Sequence, residues 1–287
     1  MGGVAVVTDS TSSLHPDEAG RAGITVIPLQ VVIDDASGPE CSDGSTAARV
    51  SEALRAGVVV TTSRPTPETF ASVYADLAEA GYEAIVSAHL SQKMSATCQA
   101  ATVAAESAPV PVVVVDTETL AMAAGFAVLS GAEAAKRGAG VADVAEVVRA
   151  RAAAAHTYFY VDSLDYLRRG GRIGAAAALL GSALAVKPLL TISGGEVRPH
   201  ERVRTTSKAL ARLEQLGLLA LARAAGSSDH VDVAVHHLDD EAAAQQLVDR
   251  LRLRLPQLSD VTVRQVSAVL GVHVGPGMLG IVVSPRP

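Results

Sequence analysis

The sequence predicts an α/β protein of two domains. The first, residues 1–155, is a doubly wound, mostly parallel sheet, and the second, residues 156–287, is mixed α/β. Three observations predict this. A chain of 287 residues lies near the upper limit for a single hydrophobic core. Short apolar runs alternate with helix-periodic segments up to about residue 155, the pattern of repeated βα units. Beyond that point strands flank glycine turns, which marks antiparallel pairing.

The elements follow in order. Residues 4–7 form a buried strand that ends in Thr8-Asp9-Ser10. Pro16, Asp17 and Glu18 suit a first helical turn, where proline loses no hydrogen bond and acids meet the helix dipole. Residues 24–33 are strand-like, and Pro28 makes that strand an edge or a broken one. Helices are expected over 45–55 and 66–80, the latter with Phe70, Val73, Tyr74 and Leu77 at helical spacing. A strand at 83–87, a helix at 95–107 and a strand at 112–116 come next. The last is a valine run suited to a parallel sheet buried on both faces. Two helices, 120–137 and 141–155, complete the first domain.

The second domain opens with a strand at 157–161, a short helix at 163–168 and an apolar helix at 175–184. Strands 188–193 and 196–202 surround Gly194-Gly195, a hairpin signal. A helix at 207–224, a strand at 231–236, a helix at 240–253 and strands at 261–266 and 280–283 finish the chain.

Composition narrows the function. Hydrophobic residues make up 49% and charged residues 19%, which fits a globular chain rather than a disordered one. The net charge of −6 argues against a nucleic-acid partner, and there is no Trp to stack bases. Cys41 and Cys98 have neither zinc spacing nor a disulfide framework, so a reduced, cytoplasmic location is expected. The N-terminus has no basic region preceding an apolar one, so no signal peptide is expected. The longest apolar run, 174–186, is too short to span a bilayer.

Several segments carry chemistry beside an ordinary structural reading. Thr8-Asp9-Ser10 ends a first strand, where open α/β sheets bind ligands, but it also suits a capping turn. No phosphate-loop motif follows it. Residues 61–67, TTSRPTP, are rich in hydroxyls before a proline-started helix, the composition of an ordinary cap. His273 sits in an apolar run before Gly-Pro-Gly, where a core histidine is the plain reading. Arg168, Arg169 and Arg172 surround a Gly-Gly turn, with Arg202 and Arg204 after the hairpin; guanidinium groups there suit a carboxylate or a phosphate, or simply a solvated surface. Several cations beside an apolar wall suit a ligand with a long apolar body and an anionic head.

Five segments in register carry a resemblance. They are 8–14 (TDSTSSL), 62–67 (TSRPTP), 91–99 (SQKMSATCQ), the block 158–204 and 271–280 (GVHVGPGMLG). Together they resemble the DegV family, fatty-acid-binding proteins that present acyl chains to a fatty acid kinase. The resemblance implies a ligand held between the two domains. It implies that Thr62, Ser91, Ser95 and His273 hold the carboxylate, that Arg172 and Arg204 face the head group or the kinase, and that Ile173, Leu189 and Leu190 join 175–184 in the acyl wall. The chain departs from the family pattern at Arg64 (usually Gln), Ala96 (usually Gly), Cys98 (usually Tyr), and Val272 and Val274 (often Thr). Ala96 is costly only if the position needs a positive φ. A chain of about 16 carbons could supply on the order of 12 kcal/mol by burial before binding costs. Its carboxylate must then be hydrogen-bonded.

The leading expectation is therefore a carrier of long-chain fatty acid. It is not itself an enzyme and has no cofactor or metal. Its partners are an ATP-dependent fatty acid kinase and, transiently, a membrane. A second reading is a small-molecule enzyme related to dihydroxyacetone kinase domains, using His273, Asp9 and nearby hydroxyls. A third is a structural or regulatory binding module, which gives no reason for hydroxyls, His and Arg to recur at these positions.

Overall fold

The computed structural model describes residues 2–41, 44–179, 187–226, 228, 230–256, 258 and 261–286. In chain order the first half comprises β1 (Val4–Asp9), α1 (Pro16–Ala22), β2 (Ile24–Ile27), β3 (Gln30–Ile33), β4 (Ala36–Pro39), α2 (Ser45–Arg55), β5 (Val60–Ser63) and α3 (Pro67–Glu79). It continues with β6 (Ala84–His89), α4 (Thr97–Ala105), β7 (Val112–Asp116), α5 (Ala121–Lys136) and α6 (Val141–Ala154). The second half comprises β8 (His156–Tyr160), α7 (Asp165–Arg169), β9 (Lys187–Ser193), β10 (Glu196–Val203), α8 (Thr206–Ala224) and β11 (Val231–His237). It ends with α9 (Glu241–Arg254), β12 (Val261–Gln265), α10 (Ala268–Val274) and β13 (Leu279–Pro285).

These strands build three sheets. The first is parallel, in the order β2-β1-β6-β7, and all its strands precede residue 155. The second is mixed, in the order β10-β9-β8-β13-β11-β12, and all its strands follow that residue. A third, antiparallel sheet, β4-β3-β5, was not among the expected elements. Pro28 supplies no backbone donor, and the run expected over 24–33 divides there. Its first half joins the parallel sheet and its second half joins the small one. The small sheet escapes a reading by pattern because β4 is ASGP, largely exposed and poor in strand formers.

The mixed sheet has two apolar faces, fixed by the period-two alternation of strands. Tyr158, Tyr160, Leu189, Val233, Val235, Ile281 and Val283 point to one side, where α8 and α9 cover them. Phe159, Val161 and Leu190 point to the other, toward the small sheet and α10. At the interface with the first domain, Ala234 and Val282 join a cluster built mainly from α5 and α6. Arg151, 3% exposed, ties α6 to the mixed sheet through Asp232 and Ser284 and lies over the Phe126 ring at 5.4 Å.

One local expectation requires correction. The apolar helix expected over 175–184 is a 3-10 turn at Gly174–Leu179, and residues 180–184 lie outside the described residues. A period of three puts Ala176 and Leu179 on the buried side against β10, which an α-helical period would not do as directly. The apolar run around His273 is a short helix, α10, capped by Ser267, whose side chain accepts the Leu270 N–H. Its valines favour extended backbone, which hid the helix from a propensity reading. The Gly194-Gly195 hairpin is present, with φ of 58° and 78°, the paired positive values that a two-residue turn demands.

Candidate functional site

A cavity with a void of about 900 Å³, open mouth included, lies where the three sheets converge. The mixed sheet contributes Phe159, Ile192, Gly280 and Val282. Leu29 and the end of β5 (Thr62, Ser63) form the facing wall, with Arg64 just beyond. The parallel domain contributes Leu90, Met94, Ser95, Leu120 and Ala121, and α10 contributes Val269, Leu270, His273 and Val274. The lining is mostly apolar, and among the described residues it includes no carboxylate.

The polar groups are linked to one another. Thr62 Oγ1 lies 3.0 Å from His273 Nε2. Burial, with the nearby Arg172 guanidinium second, pushes the His273 pKa down to about 4, so the ring is neutral at pH 7. Its Nδ1 is buried without a partner among the described residues. We assign the proton to Nε2, since a lone buried acceptor is better tolerated than a lone buried N–H. The Nε2–H then donates to Thr62 Oγ1, and the Thr62 hydroxyl hydrogen is free for a ligand. Arg172 is fixed by donating from Nε to the Met94 carbonyl at 2.9 Å and from Nη1 to the Gly170 carbonyl at 2.6 Å. Ser95 Oγ lies 2.9 Å from Thr97 Oγ1.

Local sequence explains why these side chains are available. Thr66, not Thr62, caps α3, accepting the Thr69 N–H ahead of Pro67. Ala96 has φ −80°, so alanine sits there without strain. Gly170 has ordinary right-handed backbone, yet a Cβ there would sit 2.1 Å from His273 Nδ1, so the ring occupies the room that glycine leaves.

Other sequence candidates fall elsewhere. Ser91 is fully buried and does not line the cavity. Its Oγ donates to the Gly195 carbonyl at 2.7 Å, tying the loop after β6 to the hairpin of the second domain. Ile173 is partly buried against the apolar cluster beside the cavity, and Leu190 is buried within that cluster, but neither lines the void. Leu189 points away into the core under α8, as alternation along β9 requires. Arg204 is exposed just beyond β10 and does not line the cavity. Asp9 is also absent from the lining and instead anchors a buried network with Thr11, His89 and Leu90. Cys98 is buried, and burial pushes its thiol pKa strongly upward, which makes it unreactive.

Sequence reasoning passed over Phe159, Met94, Met278 and His236, which all line the cavity. Alternation along β8 could have flagged Phe159. Nothing local flags His236, whose Nε2 accepts the Met122 N–H from the first domain at 3.2 Å. Burial brings its pKa down to about 3.

The family model described as "Uncharacterised protein, DegV family" matches residues 3–286. The chain belongs to the DegV family. A DegV domain-containing protein of Streptomyces coelicolor is 54% identical, with 99% of each chain covered. One from Deinococcus radiodurans is 36% identical over 98% of each. Among solved structures, a DegV family protein from Thermus thermophilus described as binding fatty acid superposes with a TM-score of 0.87 at 34% identity, covering 99% of each chain. DegV of Bacillus subtilis, described as a fatty acid binding protein, gives 0.87 at 31% identity, covering 100% of each. The two-domain DegV α/β architecture is therefore the fold of this chain. No helix among the described residues is long and apolar enough to cross a membrane. Among the same residues no cluster of His, Cys, Asp and Glu could hold a metal ion.

His236 and His273 predict how stability depends on pH. Their folded pKa values, about 4 and about 3, lie below the unfolded value of 6.5. The unfolded chain therefore takes up protons first as pH falls. Their contribution is complete above pH 6.5 and is lost progressively below it, by up to about 1.4 kcal/mol per pH unit for each histidine. Urea unfolding should give a lower midpoint at pH 5 than at pH 7, and His236→Phe should flatten that difference. An unchanged midpoint in the native protein would refute the assignment of neutral rings.

Proposed function

We propose that this chain is a fatty-acid carrier. It buries a long acyl chain between its domains and presents the carboxylate to a separate ATP-dependent kinase, which forms an acyl phosphate for phospholipid synthesis. The observation that carries this reading is an apolar cavity between the sheets whose polar lining includes hydroxyls, a neutral imidazole and guanidinium groups, with no acid among the described residues. The fatty-acid-binding descriptions of the Thermus and Bacillus relatives support it.

In this reading the Thr62 hydroxyl, oriented by His273, and the Ser95 hydroxyl donate to the carboxylate, and Arg172 balances its charge. Hydrogen bonds to a charged group are worth about 1.5–3 kcal/mol each, enough to offset desolvation of the head while the methylenes supply affinity. Ser91 acts indirectly by fixing the loop that carries Ser95. Leu190 and Ile173 back the cavity wall. The residues described here supply orientation and charge, and phosphoryl transfer is assigned to the kinase. Arg204, on the exposed side, is available to that partner. The carrier works in the cytoplasm and touches the membrane only to collect or release lipid.

Denaturing mass spectrometry of a gentle solvent extract tests the proposal. A stoichiometric long-chain fatty acid is expected from the native protein. Thr62→Val combined with Ser95→Ala should lower fatty-acid affinity at least about tenfold, the loss of one charged hydrogen bond or more. An extract that stays empty after incubation with mixed fatty acids would refute the proposal.

A further inference from the structure

We propose that Arg64 makes the cavity mouth selective for a dianionic head, so that a long-chain phosphomonoester binds this protein more tightly than the fatty acid of equal length. The inference rests on the fatty-acid reading for the apolar tail, but it concerns the head group alone.

The lining holds two guanidinium groups, Arg64 and Arg172, and among the described residues no carboxylate to neutralise them. Arg172 spends Nε and Nη1 on the carbonyls of Met94 and Gly170 and keeps Nη2 for a ligand. Arg64 is exposed, lies one residue beyond β5, and has no hydrogen-bond or ion-pair partner among the described residues. The acid nearest to it in sequence, Glu68, forms no ion pair with it among the described residues. His273 is neutral and adds no charge.

A carboxylate carries one negative charge and two oxygens. With Arg172 and the Thr62 and Ser95 hydroxyls its needs are met, and Arg64 is left unbalanced. A phosphomonoester carries about −1.5 to −2 at pH 7 and presents three acceptor oxygens. It matches the Arg64 fork, the remaining Nη2 of Arg172 and the hydroxyls of Thr62, Ser63 and Ser95 together. Glutamine in its place would donate hydrogen bonds but bring no charge. Exposure of Arg64 leaves the added phosphate oxygens beside the mouth, where their desolvation cost is small.

The test compares hexadecyl phosphate with palmitate by calorimetry on delipidated protein at pH 7.5. The phosphate is expected to bind about tenfold more tightly, as one additional charge-assisted contact predicts. Arg64→Gln should bring the ratio close to one, and Arg64→Lys, which keeps the charge without the fork, should restore part of it. Equal or tighter palmitate binding in the native protein, or an unchanged ratio in Arg64→Gln, would overturn the inference and leave the fatty-acid reading intact. Failure of both ligands to bind would overturn both. Hydroxylamine treatment of the native extract separates the two sources of such a head, since an acyl phosphate yields a hydroxamate whereas a phosphate ester survives.

Discussion

Asp9→Ala is expected to lower folding stability by about 3–5 kcal/mol, the cost of removing one partner from a buried charged network. Asp9 is 1% exposed. Oδ1 accepts the Thr11 N–H at 3.0 Å together with the Thr11 hydroxyl. Oδ2 accepts the Leu90 N–H at 3.1 Å and lies 3.0 Å from His89 Nδ1. His89 Nε2 lies 2.7 Å from Ser87 Oγ, which in turn accepts the Tyr74 hydroxyl at 2.8 Å. This Ser-His-Asp order looks like a nucleophilic triad, but Ser87 is fully buried and meets Tyr74 rather than a cleft. The chain of bonds sets the position of Leu90, and Ser91 and Ser95 follow from it. Alanine strands several donors in a dry core, each costing about 1–3 kcal/mol. Chemical denaturation measures the change, and a loss below about 1 kcal/mol would contradict the role given to Asp9.

Gly170→Ala is expected to weaken fatty-acid binding more than about tenfold while lowering stability by about 1–3 kcal/mol, the usual cost of overpacking. The backbone at Gly170 is right-handed, so alanine is conformationally acceptable. The new Cβ would lie 2.1 Å from His273 Nδ1 and 2.8 Å from Cε1, and the ring has to move. Moving it breaks the 3.0 Å contact with Thr62 that orients the hydroxyl. The adjacent Gly171 is the control. Its φ of 70° disfavours a side chain, but a Cβ there meets nothing within 4 Å. Gly171→Ala should therefore cost about 1 kcal/mol of stability and leave binding intact. Binding isotherms and denaturation curves on the two variants decide it. Equal affinities in both would show that His273 does not orient the ligand.

Much of this was legible in the residues. The valine run of β7 and the alternation of strand and helix before residue 155 foretold the parallel sheet, because a sheet covered on both faces demands apolar side chains at every position. Gly194-Gly195 foretold a turn because only glycine accepts two successive positive φ values cheaply. The chemical candidates Thr62, Ser95, Arg172 and His273 were visible as residue types, and all four line one cavity.

What sequence left open depended on distant partners. Nothing near Leu189 says which face of β9 it occupies; pairing with β8 and burial under α8 decide that Leu190 and Ile192, not Leu189, point toward the cavity side. Ser91 reads as a ligand group until the Gly195 carbonyl, 104 residues away, is seen to accept its hydrogen bond. α10 and the small sheet escaped because their residues are weak formers locally and are stabilised by one another across the fold. By itself the sequence determined most of the elements, the family and the stock of hydroxyl, imidazole and guanidinium groups. The tertiary structure alone decided which of those groups face the void, because facing is set by strand register and by contacts between segments far apart in the chain.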